Sequence, residues 1–190
     1  MCTLATCKQA LRASAREGDW VFGVGGRRLR ATGRCVFAMR VDRKITFKDY
    51  WSETEFRLKR PVRNGTQKML AGDNIYQPTE GGWVQADSHH SNPDGSQNPD
   101  NTARDTKTDA VLISRHFFYF GKSAPELPDE LLDALGYKNG RSHRVFEDPA
   151  DKGLINWVES NFERNVLLDD PFDFDFAHAR YAYSTNQISR

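Results

Sequence analysis

The spacing of hydrophobic and polar positions changes period several times along the chain, and each change predicts an element. Over residues 3–16, Leu4, Cys7, Leu11 and Ala15 recur at helical spacing behind Thr3, which can cap a short helix. In that reading Cys7 is a helix core position and Gly18-Asp19 stops the helix. "DWVFGVGG" reads as a strand ending in a glycine-rich turn. In "RCVFAMRVD" both alternating sets, Cys35, Phe37, Met39 and Val41 against Val36, Ala38 and Arg40, are largely apolar, which predicts a central strand. "TFKDYWSETEF" opens on a Thr-x-x-Asp cap pattern and reads as a helix. "RLKRPVRNGTQKMLAGD" reads as a loop, broken at Pro61 and Asn64-Gly65.

"GGWVQAD" is a short strand, followed by "SHHSNPDGSQNPDNTARDTKTD", a long irregular polar loop of the kind that carries function or moves. "AVLISRHFFYFG" is the strongest strand signal. It puts Ser114, His116 and Phe118 on one face and Arg115, Phe117 and Tyr119 on the other. "LPDELLDALG" is a helix, with Pro128 near its first turn, acids at its start and Gly136 past its end. "GLINWVESNFERNVL" is a helix whose apolar face is Leu154, Ile155, Val158 and Phe162. The tail "DDPFDFDFAHARYAY" alternates Phe with Asp, as an edge strand or an extended aromatic arm would.

These elements predict an α+β fold, a small mixed or antiparallel sheet with peripheral helices; the layout "REGDWVFGVGG…RCVFAMRVD" resembles the opening of PUA-like barrel domains, which implies a barrel as an alternative closure. A length of 190 residues suits a single domain over 1–190, with a core in 1–145 and a C-terminal helix and Phe/Asp-rich tail in 146–190. Loops 58–74 and 86–108 are the candidate working surfaces. No run approaches the roughly 18 apolar residues of a membrane helix, and the first residues have no signal-peptide core. The expected setting is cytoplasmic, without membrane contact. Three cysteines, an odd count, argue against a disulfide framework.

Charge changes the picture. The net value of +1 hides 16 Lys+Arg against 6 Asp+Glu in residues 1–72, and the reverse excess beyond. Such a basic half favours a polyanion, phosphate first, unless the two halves simply cancel. Arg27, Arg28, Lys59, Arg60 and Arg63 are the candidate phosphate ligands. "GVGG" at 23–26 lacks the Gly-x-Gly-x-x-Gly spacing and a following helix, so it reads as a turn between strands.

The histidine pair in "QADSHHSNPDG" suggests a metal, but partner ligands at suitable spacing are missing, and adjacent residues of an extended segment point apart. No metal is expected, and a cofactor is left open. His90 can serve as general acid or base, with Asp73 or Asp87 to orient it, or it can simply organise a polar turn. His89 reads as a loop residue. Trp20, Tyr50, Trp51, Tyr76 and Trp83 lie near basic residues, as in base-stacking sites; for Trp51 and Trp83 an aromatic core is the stronger reading.

Taken in order, "CTLATCKQALRASAREGDWVFGVGG", "AMRVDRKITFKDYW", "GDNIYQP", "DSHHS" and "VLISRHFFYFGKSAPELP" resemble the nucleotide modification associated domain 2 family of bacteria and bacteriophages. The resemblance spans roughly residues 2–135. It implies an α+β domain linked to the chemistry of modified DNA bases, including base hypermodification, but no particular reaction or catalytic residue. The matching polar and aromatic positions are Asp19, Trp20, Tyr50, Trp51, Asp73, Asn74, Tyr76, His90, Ser91, Ser114, Arg115, Tyr119 and Gly121. Family members usually begin with an extra strand-like segment before the "CTLATCK" equivalent; here Met1 directly precedes it.

Three functions follow as expectations. The first is a nucleic-acid or nucleotide-binding domain in which Trp20, Asn74, Tyr76, Ser91, Ser114, Arg115, His116 and Tyr119 engage an extruded base. The second is a transferase or hydrolase on the same site, with His90 as acid–base and Asp73 as its partner. The third is an interaction subunit that meets other DNA-modification proteins through residues 169–190.

Overall fold

A computed structural model of the chain describes residues 1–140, 142–146, 152–172, 174, 180–182 and 187–189. Two compact units are built from interleaved segments. The first takes Met1–Cys2, Arg16–Asp42 and Ser114–Phe172; the second takes Thr3–Ala15, Arg43–Ile113 and the described residues beyond Phe172.

The first unit is organised by a three-stranded antiparallel sheet of β2 (Trp20–Val24), β3 (Cys35–Arg40) and β8 (His116–Tyr119), in the order β2-β3-β8. The two apolar faces of β3 predicted a central strand, and β3 is central. Its inner face joins Phe118, Phe120, Leu127, Leu154 and Val158 in one core, which brings in α5 (Asp129–Ala134) and α6 (Lys152–Asn161). Both helices begin near their expected places, but α6 ends at Asn161, short of the predicted stretch to Leu167.

Gly23 and Gly25 of "GVGG" are packing residues, whereas Gly26 faces open space. A Cβ on Gly23 would lie 2.2 Å from the Phe37 ring, and one on Gly25 would lie 2.3 Å from the Ala31 carbonyl oxygen. Gly23→Ala should therefore destabilise the fold by about 1–3 kcal/mol through overpacking, read as a lower urea midpoint with an unchanged m-value.

The second unit contains a sheet of order β1-β7-β4, from β1 (Cys2–Leu4), β7 (Val111–Ser114) and β4 (Arg43–Ile45), and a hairpin of β5 (Tyr76–Thr79) with β6 (Gly82–Gln85). Around them lie α1 (Gln9–Ser14), α2 (Phe47–Ser52), α3 (Gln67–Leu70) and α4 (Pro99–Asp105). Its buried side chains include Phe47, Tyr50, Phe56, Ile75, Tyr76, Val111, Leu112 and Ile113. The Thr46 cap of α2 forms as its spacing predicts: the Asp49 amide donates to Thr46 Oγ1 at 3.1 Å, which in turn donates to Asp49 Oδ2 at 2.6 Å. A short two-stranded ribbon pairs β9 (Arg180–Ala182) with β10 (Gln187–Ser189). Most of the Phe-Asp alternation lies outside the described residues.

Three expectations need correction. The predicted helix over 3–16 is a strand, a turn and the shorter α1, because Asp73 draws the chain into extended form: Thr3 Oγ1 and the Ala5 amide both donate to its carboxylate. The single strand over 110–121 is two strands in different sheets. It breaks at Arg115, whose amide donates to Asp42, while Ser114 Oγ donates to the His116 carbonyl at 2.7 Å. The face assignment carried across that break does not hold. The loop over 86–108 contains α4, capped by Asn98 with Pro99 in its first turn. The fold is mixed α+β with small antiparallel sheets, and no sheet among the described residues closes into a barrel. None of the described helices is long and apolar enough to cross a membrane.

Candidate active site

The centre of interest lies in the second unit, where three separate segments bring Cys7, His90 and Asp105 together. His90 Nδ1 is 2.6 Å from Asp105 Oδ2, and His90 Nε2 is 3.8 Å from Cys7 Sγ. The two nitrogens of one imidazole thus face a carboxylate and a thiol. Asp105 also accepts from the Tyr76 hydroxyl at 2.8 Å and, through Oδ1, from the Cys7 amide at 2.7 Å. His90 and Asp105 are buried, and Cys7 is half-buried.

Each member has its own support. Cys7 and Lys8 hold left-handed backbone, φ 54° and 42°, in the turn before α1. A non-glycine residue at positive φ is uncommon and needs its surroundings to hold it there. The hold comes from both sides of the residue, the amide on Asp105 and the carbonyl on Arg12 Nε at 2.9 Å. Arg12 is completely buried and spends its other nitrogens on the carbonyls of Ala110 and Asp105. One guanidinium therefore fastens the backbone of the thiol segment to that of the carboxylate segment.

His90 sits in a turn that is closed by side chains. Its amide donates to Ser88 Oγ, and its carbonyl accepts from Gln85 Nε2 at 3.1 Å and Asn101 Nδ2 at 2.7 Å. Ser91 Oγ accepts from the Ser88 amide and donates to the Ala86 carbonyl. Asp105 closes α4, and that helix exists because Asn98 caps it.

Burial alone would keep the imidazole neutral. The hydrogen bond to Asp105, followed by the hydrogen bond and electrostatic attraction of Cys7, outweighs burial and holds His90 at about 9. For Asp105, burial pushes upward, but the His90 hydrogen bond and charge, with Tyr76 and the Cys7 amide, keep the carboxyl below its ordinary range. The Tyr76 hydroxyl is pushed well up, by burial first and the Asp105 charge second, so it stays a donor. At neutral pH a protonated imidazole thus lies beside a thiol, the setting in which cysteines act as nucleophiles. The other cysteines differ: Cys35 is fully buried, and burial lifts its thiol to about 12, while Cys2 Sγ rests 3.8 Å from Met39 Sδ.

His90 was the sequence-derived centre of the site, but its partner is Asp105 rather than Asp73 or Asp87. Asp73 instead accepts from Thr3, Ala5 and the Tyr50 hydroxyl, the last at 2.6 Å. Asn74 is buried and donates to the Tyr50 and Phe56 carbonyls. Tyr76 is fully buried and Ser91 nearly so. Trp20, Ser114, Arg115, His116 and Tyr119 belong to the first unit. There Trp20 meets the His116 ring edge-on at 5.1 Å, and His116 Nε2 lies 2.8 Å from Glu159 Oε1. Burial raises the Tyr119 hydroxyl to about 12.

The histidine pair does not point apart as an extended segment would require. It lies in a turn, with ring centroids 4.4 Å apart and planes at 65°. Burial, and then the His90 charge, pushes His89 down to about 3. Among the described residues no group of three His, Cys, Asp or Glu side chains is arranged to hold a metal ion.

The basic candidates divide in the same way. Arg27 and Arg28 are exposed in a 3-10 turn of the first unit. Lys59, Arg60 and Arg63 belong to the second. Arg60 lies over the Trp51 ring at 4.1 Å and donates to its carbonyl. Arg63 Nε is 3.8 Å from Asp87 Oδ1.

Sequence reasoning missed Cys7 as a nucleophile and missed Asp105 altogether. The usable signal for Asp105 was Asn98-Pro99-Asp100, the start of a helix whose last residue is the carboxylate. For Cys7 there was no local signal, because its conformation depends on Asp105, 98 positions away, as well as on Arg12.

Against known proteins, the family model for nucleotide modification associated domain 2 matches residues 1–178. No curated protein and no solved structure matches the chain.

Proposed function

The chain belongs to the nucleotide modification associated domain 2 family, and on that premise we propose that its second unit is a cysteine-nucleophile enzyme of nucleotide modification. Cys7 is the nucleophile, His90 the acid–base and Asp105 the orienting carboxylate. One observation carries this reading: the two ring nitrogens of His90 are divided between Asp105 at 2.6 Å and Cys7 at 3.8 Å.

The chemistry that suits the arrangement is acyl transfer. Cys7 Sγ attacks a carbonyl carbon while its proton resides on His90 Nε2. The bond to the leaving group breaks, and that group takes the proton from His90. Water, or an acceptor hydroxyl or amine, then gives a proton to His90 and attacks the thioester. The acyl product leaves, and the proton returns to sulfur. Asp105 fixes the tautomer and supports the imidazolium throughout.

The test is a time course of limiting iodoacetamide at neutral pH, read by peptide mass spectrometry. Cys7 should be modified well ahead of Cys2 and Cys35. Equal rates at Cys7 and Cys2 would sink the proposal.

A base-binding role is a second reading, favoured by the half-buried Trp20 beside His116 in the first unit. It predicts that Trp20→Ala weakens nucleotide binding by about tenfold, since stacking is worth about 1–3 kcal/mol per base, while leaving Cys7 alkylation unchanged. Unaltered binding in a titration would remove Trp20 from that role.

A further inference from the structure

The loop that carries His90 is also tied to a cation. Asp87 precedes the histidine pair by two residues, and Arg63 Nε lies 3.8 Å from its carboxylate. Arg63 acts electrostatically on His89, whose ring packs 4.4 Å from that of His90. The guanidinium is thus tied, through Asp87, to the same turn that holds the His89–His90 ring pair. Arg63 is not an isolated charge: Arg57, Lys59, Arg60 and Lys68 lie on the same stretch, and no Asp or Glu occurs between Glu55 and Asp73. Arg57 and Lys68 are exposed, and the Arg63 side chain is 21% exposed.

A run of five cations without a single acid is poorly suited to a neutral acyl substrate. It is well suited to phosphate, whose charge and oxygens match a guanidinium fork. A neutral imidazole adds a donor without competing charge.

We propose that Arg63, with His89 beside it, is the anion-binding arm of the Cys7 site and seats a phosphate group of the substrate, so that the thiol works on a group carried by a nucleotide. This inference rests on the thiol reading above and adds the substrate class to it. The neighbouring cations extend the positive field along the loop and steer the phosphate inward.

The experiment measures the rate of Cys7 alkylation by iodoacetamide with inorganic phosphate, a nucleoside 5′-monophosphate or a single-stranded oligonucleotide as protectant. In the wild-type protein the phosphate-bearing probes should slow alkylation in a salt-dependent way. In Arg63→Gln the concentration needed for half-protection should rise by about tenfold or more, the loss expected for one charge-assisted hydrogen bond. Arg63→Lys should recover part of it.

A second readout needs no ligand. The ratio of rates with anionic iodoacetate and neutral iodoacetamide should fall severalfold in Arg63→Gln. Protection by the mononucleotide alone assigns the phosphate to a free nucleotide; tighter protection by the oligonucleotide assigns it to a strand; either supports the arm. Equal protection in Arg63→Gln and wild type, with an unchanged reagent ratio, would overturn it while Cys7 remained the fastest thiol. Loss of the Cys7 lead over Cys2 in the wild-type protein would instead overturn the thiol reading, and this proposal with it.

Discussion

His90→Asn should lower the rate of Cys7 alkylation at pH 7 by about tenfold and turnover by about 10²- to 10⁴-fold. The two numbers differ because they have different causes. An imidazolium beside a sulfur supports its nucleophilic form, and the variant removes the one 3.8 Å from Cys7 Sγ. Turnover falls further because His90 also hands a proton to the leaving group. Asparagine keeps a polar group of similar reach in the closed turn, where the backbone of residue 90 is already held by Ser88, Gln85 and Asn101. Unchanged alkylation in a folded His90→Asn protein would show that the imidazole does not activate the thiol.

Asp105→Ala should destabilise the fold more than either Gly23→Ala or His90→Asn. It removes three acceptor contacts at once, to His90, Tyr76 and the Cys7 amide. Breaking a buried pair from one side costs about 3–5 kcal/mol, because the partner is left without compensation.

The pH profile identifies the cause. Folded His90 is held at about 9, above its ordinary 6.5, so its contribution is complete below pH 6.5 and is lost as pH rises through 9. His89 has the opposite sign. Held at about 3, it contributes above pH 6.5, and that contribution is lost as pH falls through 6.5 towards 3. Asp105, held below its ordinary 3.8, adds to the acid limb: its contribution is present above pH 3.8 and is lost as pH falls through the lowered folded value. Wild-type stability should therefore peak near pH 6.5. In Asp105→Ala, burial acts on His90 without the first of its counterweights, so the imidazole should titrate below its wild-type value of about 9 and the alkaline limb should shrink. Urea midpoints from about pH 5 to about pH 10, with imidazole NMR of His90, measure both effects. An alkaline limb unchanged in the variant would contradict the assigned pairing.

How much of this was legible in the sequence depended on where each conformation is decided. The Thr46–Asp49 cap and the two apolar faces of β3 are local, and both formed as read. Asn98-Pro99 was equally local, but it sat in so polar a stretch that composition hid the helix. The split at Arg115 was not legible, because β7 and the Phe117–Phe118 centre of β8 are both buried and apolar. What separates them is Asp42, seventy-three positions away. The site followed the same rule. His90 stood out because imidazole is rare and sits in a polar turn, whereas Cys7 sat on an apolar helical period that the real chain does not use. Asp105, one acid among 26 Asp and Glu residues, carried no mark of its own.

The Arg12 clasp has a consequence for timing. It joins the Cys7 and Asp105 segments, 98 positions apart, in a single set of hydrogen bonds. At about 5–20 residues per second of synthesis, the thiol is made roughly 5–20 s before the carboxylate that orients its histidine. During that interval Cys7 is an ordinary side chain on an unfinished chain, with no imidazolium held against it. On the proposed role, a chain truncated before Asp105 should show no faster alkylation at Cys7 than at Cys2.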